Sequence, residues 1–203
     1  SIWIPTRIIL YIFGSFEVRG LENLKNLKGG LIFASNHSSE LDPILLPAAL
    51  PMFSRFMPIF YVSREKEFYN RKAVLKWLFY REWFFKIWGA YRAQVGKHDY
   101  EKSLKTHVEI INGAGSVFIF PEGEKTEDGN ILPAHGGVTF LSLKTGALII
   151  PVSISGVFEM RLIDFLLRRR KIVIIFEKPV IPSTDDYKAE AQELMKIIEK
   201  NLV

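Results

Sequence analysis

The run Leu31-Ile32-Phe33-Ala34 is apolar at every position. A strand with one wet face alternates; one without alternation must be covered on both sides. Gly30 to Ser35 is therefore expected to be an inner strand of a sheet. The polar cluster Asn36-His37-Ser38-Ser39-Glu40-Leu41-Asp42 follows it directly. Far downstream, a second apolar run, Ser116 to Phe120, leads into Pro121-Glu122-Gly123-Glu124-Lys125-Thr126. Two polar clusters at two strand ends put a candidate active site on the rim of an α/β sheet.

The remaining pattern agrees with that class. Strands are expected at Phe16 to Gly20, Ile59 to Val62, Leu148 to Ser155 and Lys171 to Glu177. Helices are expected at Pro43 to Leu50, Arg71 to Trp88, Lys97 to Asn112, Gly137 to Thr145 and Asp185 to Leu202. Asp42 is a candidate N-cap with Pro43 at the first helical position. Gly113, Gly115 and Gly146 are stop signals. Alternating strands and helices, with no repeat and no linker, predict a single α/β domain with a mixed, largely parallel sheet flanked by helices.

The apolar residues 1–15 form a separate segment ahead of a domain spanning 16–203. Ile2 to Phe16 carries Pro5 and Arg7 and is shorter than the roughly 20 residues a span needs. It also lacks a small-residue cleavage pattern, so it does not read as a signal peptide. Two readings of it stay open: a helix lying in the bilayer interface, and a helix packed on the core. Ile44 to Val62 is long enough to span, but Pro47, Pro51, Arg55 and Pro58 interrupt it.

Composition narrows the chemistry. With no Cys, thiol nucleophiles, disulfides and Cys-based zinc sites are excluded. His37, His98, His107 and His135 lack metal-ligand spacing, so no metal is expected. There is no G-x-x-x-x-G-K-S/T loop, and Gly113-Ala114-Gly115 is too little for a dinucleotide loop. The net charge of +5 suits nucleic acid, anionic lipid or a phosphorylated substrate. Sixteen Phe and four Trp favour lipid, and no nucleic-acid module is present.

His37 and Asp42 supply the chemistry. In a regular helix five residues turn about 500°, which separates the two side chains by about 140°. They can pair only if the chain turns between them, with His37 in a loop and Asp42 in the first helical turn. A neutral His then removes a proton from a hydroxyl as it attacks a carbonyl, while the carboxylate fixes the tautomer and steadies the imidazolium. This is triad logic with the acceptor's hydroxyl in place of a serine. No G-x-S-x-G elbow occurs to supply an enzymic serine. Taken alone, Asp42 could merely cap a helix and His37 satisfy a carbonyl; the second cluster argues otherwise. Pro121-Glu122-Gly123 turns the chain and exposes backbone N–H groups, and Lys125 beside Thr126 suits a phosphate.

Together these motifs resemble the glycerophospholipid acyltransferase family, whose best-known member acylates lysophosphatidate. Asn36, His37 and Asp42 match its N-H-x-x-x-x-D. Phe120, Pro121, Glu122, Gly123, Lys125 and Thr126 match its F-P-E-G-x-R/K-S/T. Ile150-Pro151-Val152 matches its proline between aliphatics. The resemblance covers Phe16 to Pro182. It implies that His37 is the general base and Asp42 its partner, and that the loop of Glu122, Gly123, Lys125 and Thr126 binds an acceptor phosphate. The donor implied is acyl-CoA or acyl carrier protein, with no other cofactor. The family's second motif has an Arg about six residues after a Gly. Here Gly89 is followed by Arg92 at three and Val95 stands at six, so Arg92 is the substitute and Lys97 its rival. Ala134-His135-Gly136-Gly137 departs from the family's Phe-Lys-x-Gly, which makes His135 a candidate polar contact. Glu124 replaces the Thr of many relatives, and Lys125 lacks the bidentate fork of an Arg.

The expected activity is transfer of a fatty acyl group from a thioester to a lysophospholipid hydroxyl, at the cytoplasmic face of a membrane. The alternatives are a lipid or thioester hydrolase and a non-catalytic lipid-binding protein. Leu162 to Leu167 followed by Arg168-Arg169-Arg170-Lys171 reads as a solvated turn or as a site for anionic headgroups or donor phosphates. Trp77 to Trp88 mixes aromatics with charges, as an interface belt or an acyl groove does.

Overall fold

The computed structural model describes residues 3–13, 15–51, 53–63, 90–92 and 99–202. The expected helix Arg71 to Trp88, its aromatic run, Gly89, Val95, Lys97 and His98 lie outside the described residues.

Among the described residues the strands are β1 (Ser15–Arg19), β2 (Ile32–Ser35), β3 (Ile59–Ser63), β4 (Ala90–Arg92), β5 (Ser116–Ile119), β6 (Ile149–Ser155) and β7 (Lys171–Phe176). They form one sheet in the order β1-β7-β6-β2-β5-β3-β4. β6, β2, β5, β3 and β4 run parallel to one another; β7 runs antiparallel to β6, and β1 parallel to β7. β2, β5 and β6 are buried at every position, as the missing alternation requires.

Two layers of helices cover this sheet. Among the described residues the helices are α1 (Trp3–Phe13), α2 (Asp42–Ala49), α3 (Tyr100–Ser103), α4 (Lys105–Asn112), α5 (Gly137–Thr145), α6 (Leu162–Leu166) and α7 (Tyr187–Glu199), with a 3-10 turn at Leu21–Leu24. On one face Phe33, Phe118, Ile150, Ile174 and Phe176 pack with Leu45, Leu46 and Leu50 from and after α2. On the other, Ile32, Val117, Ile119 and Ile149 pack with Ile111 of α4, Leu141 of α5 and Leu194 of α7. The odd and even positions of each strand thus feed different layers. Ser153 faces the second layer, where its Oγ donates to Ile198 O at 2.7 Å and ties β6 to α7.

The ends of these helices follow local chemistry. Asp186 Oδ1 caps α7 by accepting from Ala189 N at 3.1 Å, so the helix starts later than the expected Asp185. Gly146, at φ 72°, closes α5 where the sequence places its stop. The expected helix Lys97 to Asn112 is broken at Leu104, whose backbone leaves the helical region while its side chain enters the core. Asp42 is not the N-cap; Leu41 holds that position and Asp42 opens the first turn of α2. Asp42's carboxylate accepts from the preceding loop instead of from its own helix.

α1 serves both surfaces. Leu10 is buried, and an Arg7 guanidinium nitrogen donates to Leu50 O at the end of α2. Ile8, Ile9, Tyr11 and Ile12 are left largely exposed. No helix among the described residues is long and apolar enough to cross a membrane.

Gly20 connects β1 to the 3-10 turn at φ 77°, and a Cβ there would lie 1.9 Å from Phe176 O. Gly20→Ala therefore has to displace β7 and strain the backbone at once. It is expected to destabilise the fold by about 2 kcal/mol or more, since left-handed strain alone costs of order 1–3 kcal/mol. Urea unfolding against the parent chain measures this; an unchanged midpoint would show that the contact relaxes freely.

Candidate active site

The carboxyl ends of β2, β5 and β6 meet at one edge because these strands are parallel. β2 ends at Ser35, but its pairing continues through a side chain. Asn36 Nδ2 donates to Ile154 O and its Oδ1 accepts from Ile154 N, both at 2.9 Å. The buried amide thus imitates one more residue of strand. It holds the chain to β6 until it leaves the sheet at His37.

From there the chain turns as the spacing requires. Asp42, fully buried, faces back toward the loop from the start of α2. Its Oδ2 lies 2.9 Å from His37 Nδ1 and accepts from Ser38 N and Ser39 N at 2.7 Å each. A carboxylate oxygen is an acceptor, so Nδ1 carries the proton and the lone pair resides on Nε2. Oδ1 is buried and has no hydrogen-bond partner among the described residues. All of the carboxylate's orienting contacts therefore converge on the one oxygen that holds the imidazole. The His37 side chain is 17% exposed, so its ring is only partly covered.

The second cluster holds His37 from the other side. The Phe120 ring stacks on the imidazole at 4.0 Å between centroids and 13° between planes. Glu122 Oε1 accepts from His37 N at 2.7 Å, and Thr126 N donates to His37 O at 2.9 Å. The His37 residue is thus gripped at its N–H, its carbonyl, one ring face and one ring nitrogen. Glu122 Oε2 accepts from Leu132 N at 2.7 Å, so the same carboxylate also ties down the following loop. Burial pushes the Glu122 carboxyl above its ordinary value, opposed by these two backbone hydrogen bonds.

The loop between Phe120 and Thr126 is shaped by its own bonds. Gly123 N donates to Phe120 O at 3.0 Å, and Gly123 adopts φ 72°, a conformation that favours glycine. Thr126 is buried; its Oγ1 donates to Asp128 Oδ1 at 2.9 Å and accepts from Gly129 N at 3.2 Å. Lys125 is half-exposed and places Nζ 3.3 Å from Glu40 Oε1, across the mouth between the two clusters. His135 is tied to this loop by its backbone N–H, which donates to Pro121 O at 2.8 Å, and its side chain is exposed. Arg92 ends β4, opposite Ser63 and at the same carboxyl edge. It stands three strands from β2, roughly 14 Å at the usual strand spacing.

The structure thus joins His37, Asp42, Glu122 and Thr126 in one hydrogen-bonded unit, with Gly123 in the turn of the same loop and Lys125 and His135 beside it. Sequence reasoning did not find the strand-like role of Asn36, the ring of Phe120 behind the imidazole, or the bond from Tyr61 to Pro43. Tyr61 Oη donates to Pro43 O at 2.7 Å and secures the start of α2. An amide next to the base and an aromatic at the strand end were the available signals. Glu122 was expected to face a substrate; both of its oxygens are engaged by backbone.

Fold and site together define an α/β protein with a His–carboxylate pair at the carboxyl edge of its sheet, an arrangement chemically able to accept a hydroxyl proton. A family model described as Acyltransferase matches residues 15–155. The chain belongs to this acyltransferase family. Among similar proteins is the chloroplastic 1-acyl-sn-glycerol-3-phosphate acyltransferase BAT2 of Brassica napus, 24% identical over 88% of this chain and 49% of the relative. The chloroplastic enzyme LPAT1 of Arabidopsis thaliana, of the same description, is 25% identical over 88% of this chain and 47% of its own. The chain spans about half the length of these relatives. Among solved structures, the 1-acyl-sn-glycerophosphate acyltransferase PlsC of Thermotoga maritima has the same fold, at a TM-score of 0.68 and 18% identity. That match covers 98% of this chain and 77% of the other.

Glu122→Gln tests the grip on His37. A Gln carbonyl can accept one of the two backbone N–H groups, but its NH2 meets the other donor to donor. The expected cost is about 1–3 kcal/mol of stability in urea unfolding, together with a loss of turnover. A variant as stable and active as the parent would remove Glu122 from the positioning of His37.

Proposed function

We propose that this chain transfers a fatty acyl group from a thioester to the free hydroxyl of 1-acyl-sn-glycerol-3-phosphate. One observation carries the reading: the His37 Nδ1 bond to buried Asp42, which leaves the Nε2 lone pair for an alcohol. The names of the Brassica and Arabidopsis relatives support the choice of acceptor.

In this reading His37 Nε2 takes the hydroxyl proton as the alcohol oxygen attacks the thioester carbonyl. Asp42 stabilises the resulting imidazolium. When the tetrahedral intermediate collapses, the C–S bond breaks, the ester C–O bond is complete, and the imidazolium returns the proton to the sulfur. A thiol with pKa about 8.5 leaves readily, so the donor needs little activation. Acyl-CoA and acyl carrier protein both meet this requirement, and no further cofactor is needed.

Lys125 is the cation of the loop nearest to His37, and Arg92 and His135 stand on the same edge. We assign these three to the acceptor phosphate. Gly123 gives the loop its turn, and Glu122 and Thr126 hold it against His37. The protein works at a membrane surface, on the cytoplasmic face, where anionic lipid gives the leaflet a negative potential that suits a net charge of +5. The exposed isoleucines of α1 support interfacial contact.

His37→Ala is expected to abolish transfer while the chain stays folded, with a thermal transition lowered by the loss of one Asp42 partner and the Phe120 stack; retained turnover with lysophosphatidate and acyl-CoA or acyl carrier protein refutes the role of His37. Thiol release at full rate without any lipid acceptor would instead identify a hydrolase. Lys125→Ala is expected to raise KM for lysophosphatidate about tenfold or more, the effect of losing about 1.4 kcal/mol of binding. It should barely change the reaction of a monoacylglycerol that lacks the phosphate. Equal effects on both acceptors would detach Lys125 from phosphate recognition.

A further inference from the structure

We infer that residues 156–171 form a docking surface for anionic lipid bilayers, built on the same edge of the sheet as His37. The inference goes beyond the acyl transfer proposed above and does not depend on it.

The topology fixes where this excursion lies. β6 runs parallel to β2, and its Ile154 pairs with Asn36 beside His37. β7 returns antiparallel, with Val173 opposite Ser155. Residues 156–170 therefore leave and return at the catalytic edge. The Phe158 ring lies beside Gly129 of the loop that grips His37, where a Cβ would be 3.1 Å from it. β1 begins at this edge too, with Ser15 opposite Lys171, so the end of α1 and its exposed Ile12 arrive beside the excursion.

The excursion is anchored on its inner side. Phe165 and Met160 pack against the core. Asp164 is buried and accepts from Arg161 Nε at 2.9 Å, while Arg169 N donates to Asp164 O at 2.9 Å. Arg170 Nη1 donates to Phe158 O at 2.5 Å. A segment fastened this well still leaves Leu162 72% and Leu167 54% exposed, with Ile163 and Leu166 also exposed. Such an apolar cluster is unusual on a surface that faces only water.

The charges identify the partner. Arg161, Arg168, Arg169, Arg170 and Lys171 stand against Glu159 and Asp164, five cations to two carboxylates. Asp164 is internal to the segment, shared by Arg161 and Arg169, and Lys171 pairs with Glu17. Leucines flanked by arginines match the two layers of a bilayer surface: leucine enters the acyl boundary and arginine stays with the phosphates. Docked this way, the edge that carries His37 faces the lipid from which an acceptor comes.

The test is flotation of the purified chain with vesicles of phosphatidylcholine, alone or mixed with phosphatidylglycerol. Arg168→Gln/Arg170→Gln is expected to lose roughly 30-fold in affinity for the anionic vesicles, the fold-change that corresponds to about 1 kcal/mol for each of two cations. Its binding to neutral vesicles should hardly change. Leu162→Ser/Leu167→Ser should lose binding to both. Because the chain has no Cys, Leu162→Cys can carry a single polarity-sensitive dye, whose emission should shift to the blue on adding anionic vesicles. This second readout covers the case in which the Ser variant fails to fold. The proposal is overturned if both double variants bind as the parent does, or if the dye does not respond. A dimer that dissociates in the Leu variant would give the face to a second copy and overturn it equally. Vesicle binding needs no turnover, so a chain that docks but transfers nothing would refute the acyltransferase reading alone.

Discussion

The site depends on how one residue, His37, is held. A base on a loop is useful only if its ring is kept in a single orientation, and loops by themselves do not provide that. Here the imidazole is fixed through Nδ1 by Asp42 and across one face by Phe120. Its peptide is fixed by Glu122 and Thr126. Each partner restrains a different degree of freedom: ring rotation, ring tilt and backbone position. Among the described residues, Nε2 is the ring nitrogen left without a partner. Asn36 extends this logic into the sheet, because its amide sets where the chain departs from β6.

The division of labour between the two sequence clusters follows from this. The first supplies the imidazole and the carboxylate that orients it. The second, expected as a substrate-binding loop, holds the first through Glu122 Oε1 and Thr126 N and shapes itself through Glu122 Oε2 and Thr126 Oγ1. Glu122 and Thr126 are buried and fully engaged, which leaves Lys125 as the cation of that loop facing outward. Its Glu40 partner comes from within the first cluster, so even this exposed pair bridges the two. An exposed pair of this kind contributes little stability and can yield to a competing phosphate at small cost.

Much of this was legible in the residues. The inner strands announced themselves because β2 carries no alternation, and Gly146 marked the end of its helix. The His37–Asp42 pair was legible because a five-residue spacing demands a turn and the Ser-Ser-Glu sequence allows one. Strand order was not legible. The bond from Glu122 to the His37 peptide exists only because β5 lies beside β2, and no local pattern records a neighbour 85 residues away. The burial of Leu104, which breaks the expected long helix, is likewise a tertiary effect overriding a local pattern. α6 escaped because five residues are too few to show a period. Asp42 as a cap was a sound local expectation, overruled by three donors arriving from the loop before it.

The Glu122 contact also bears on when the protein can begin to work. Its two ends are far apart along the chain, so closing it costs loop entropy that is recovered only once β2 and β5 are already paired. His37 and Asp42 are only five residues apart, so their contact needs no such long-range closure, whereas the Glu122 half of the mount does. Until that pairing is made, the His37 peptide has no partner in the Glu122 carboxylate. The full mount of His37 is thereby completed only in chains whose β2 and β5 are paired.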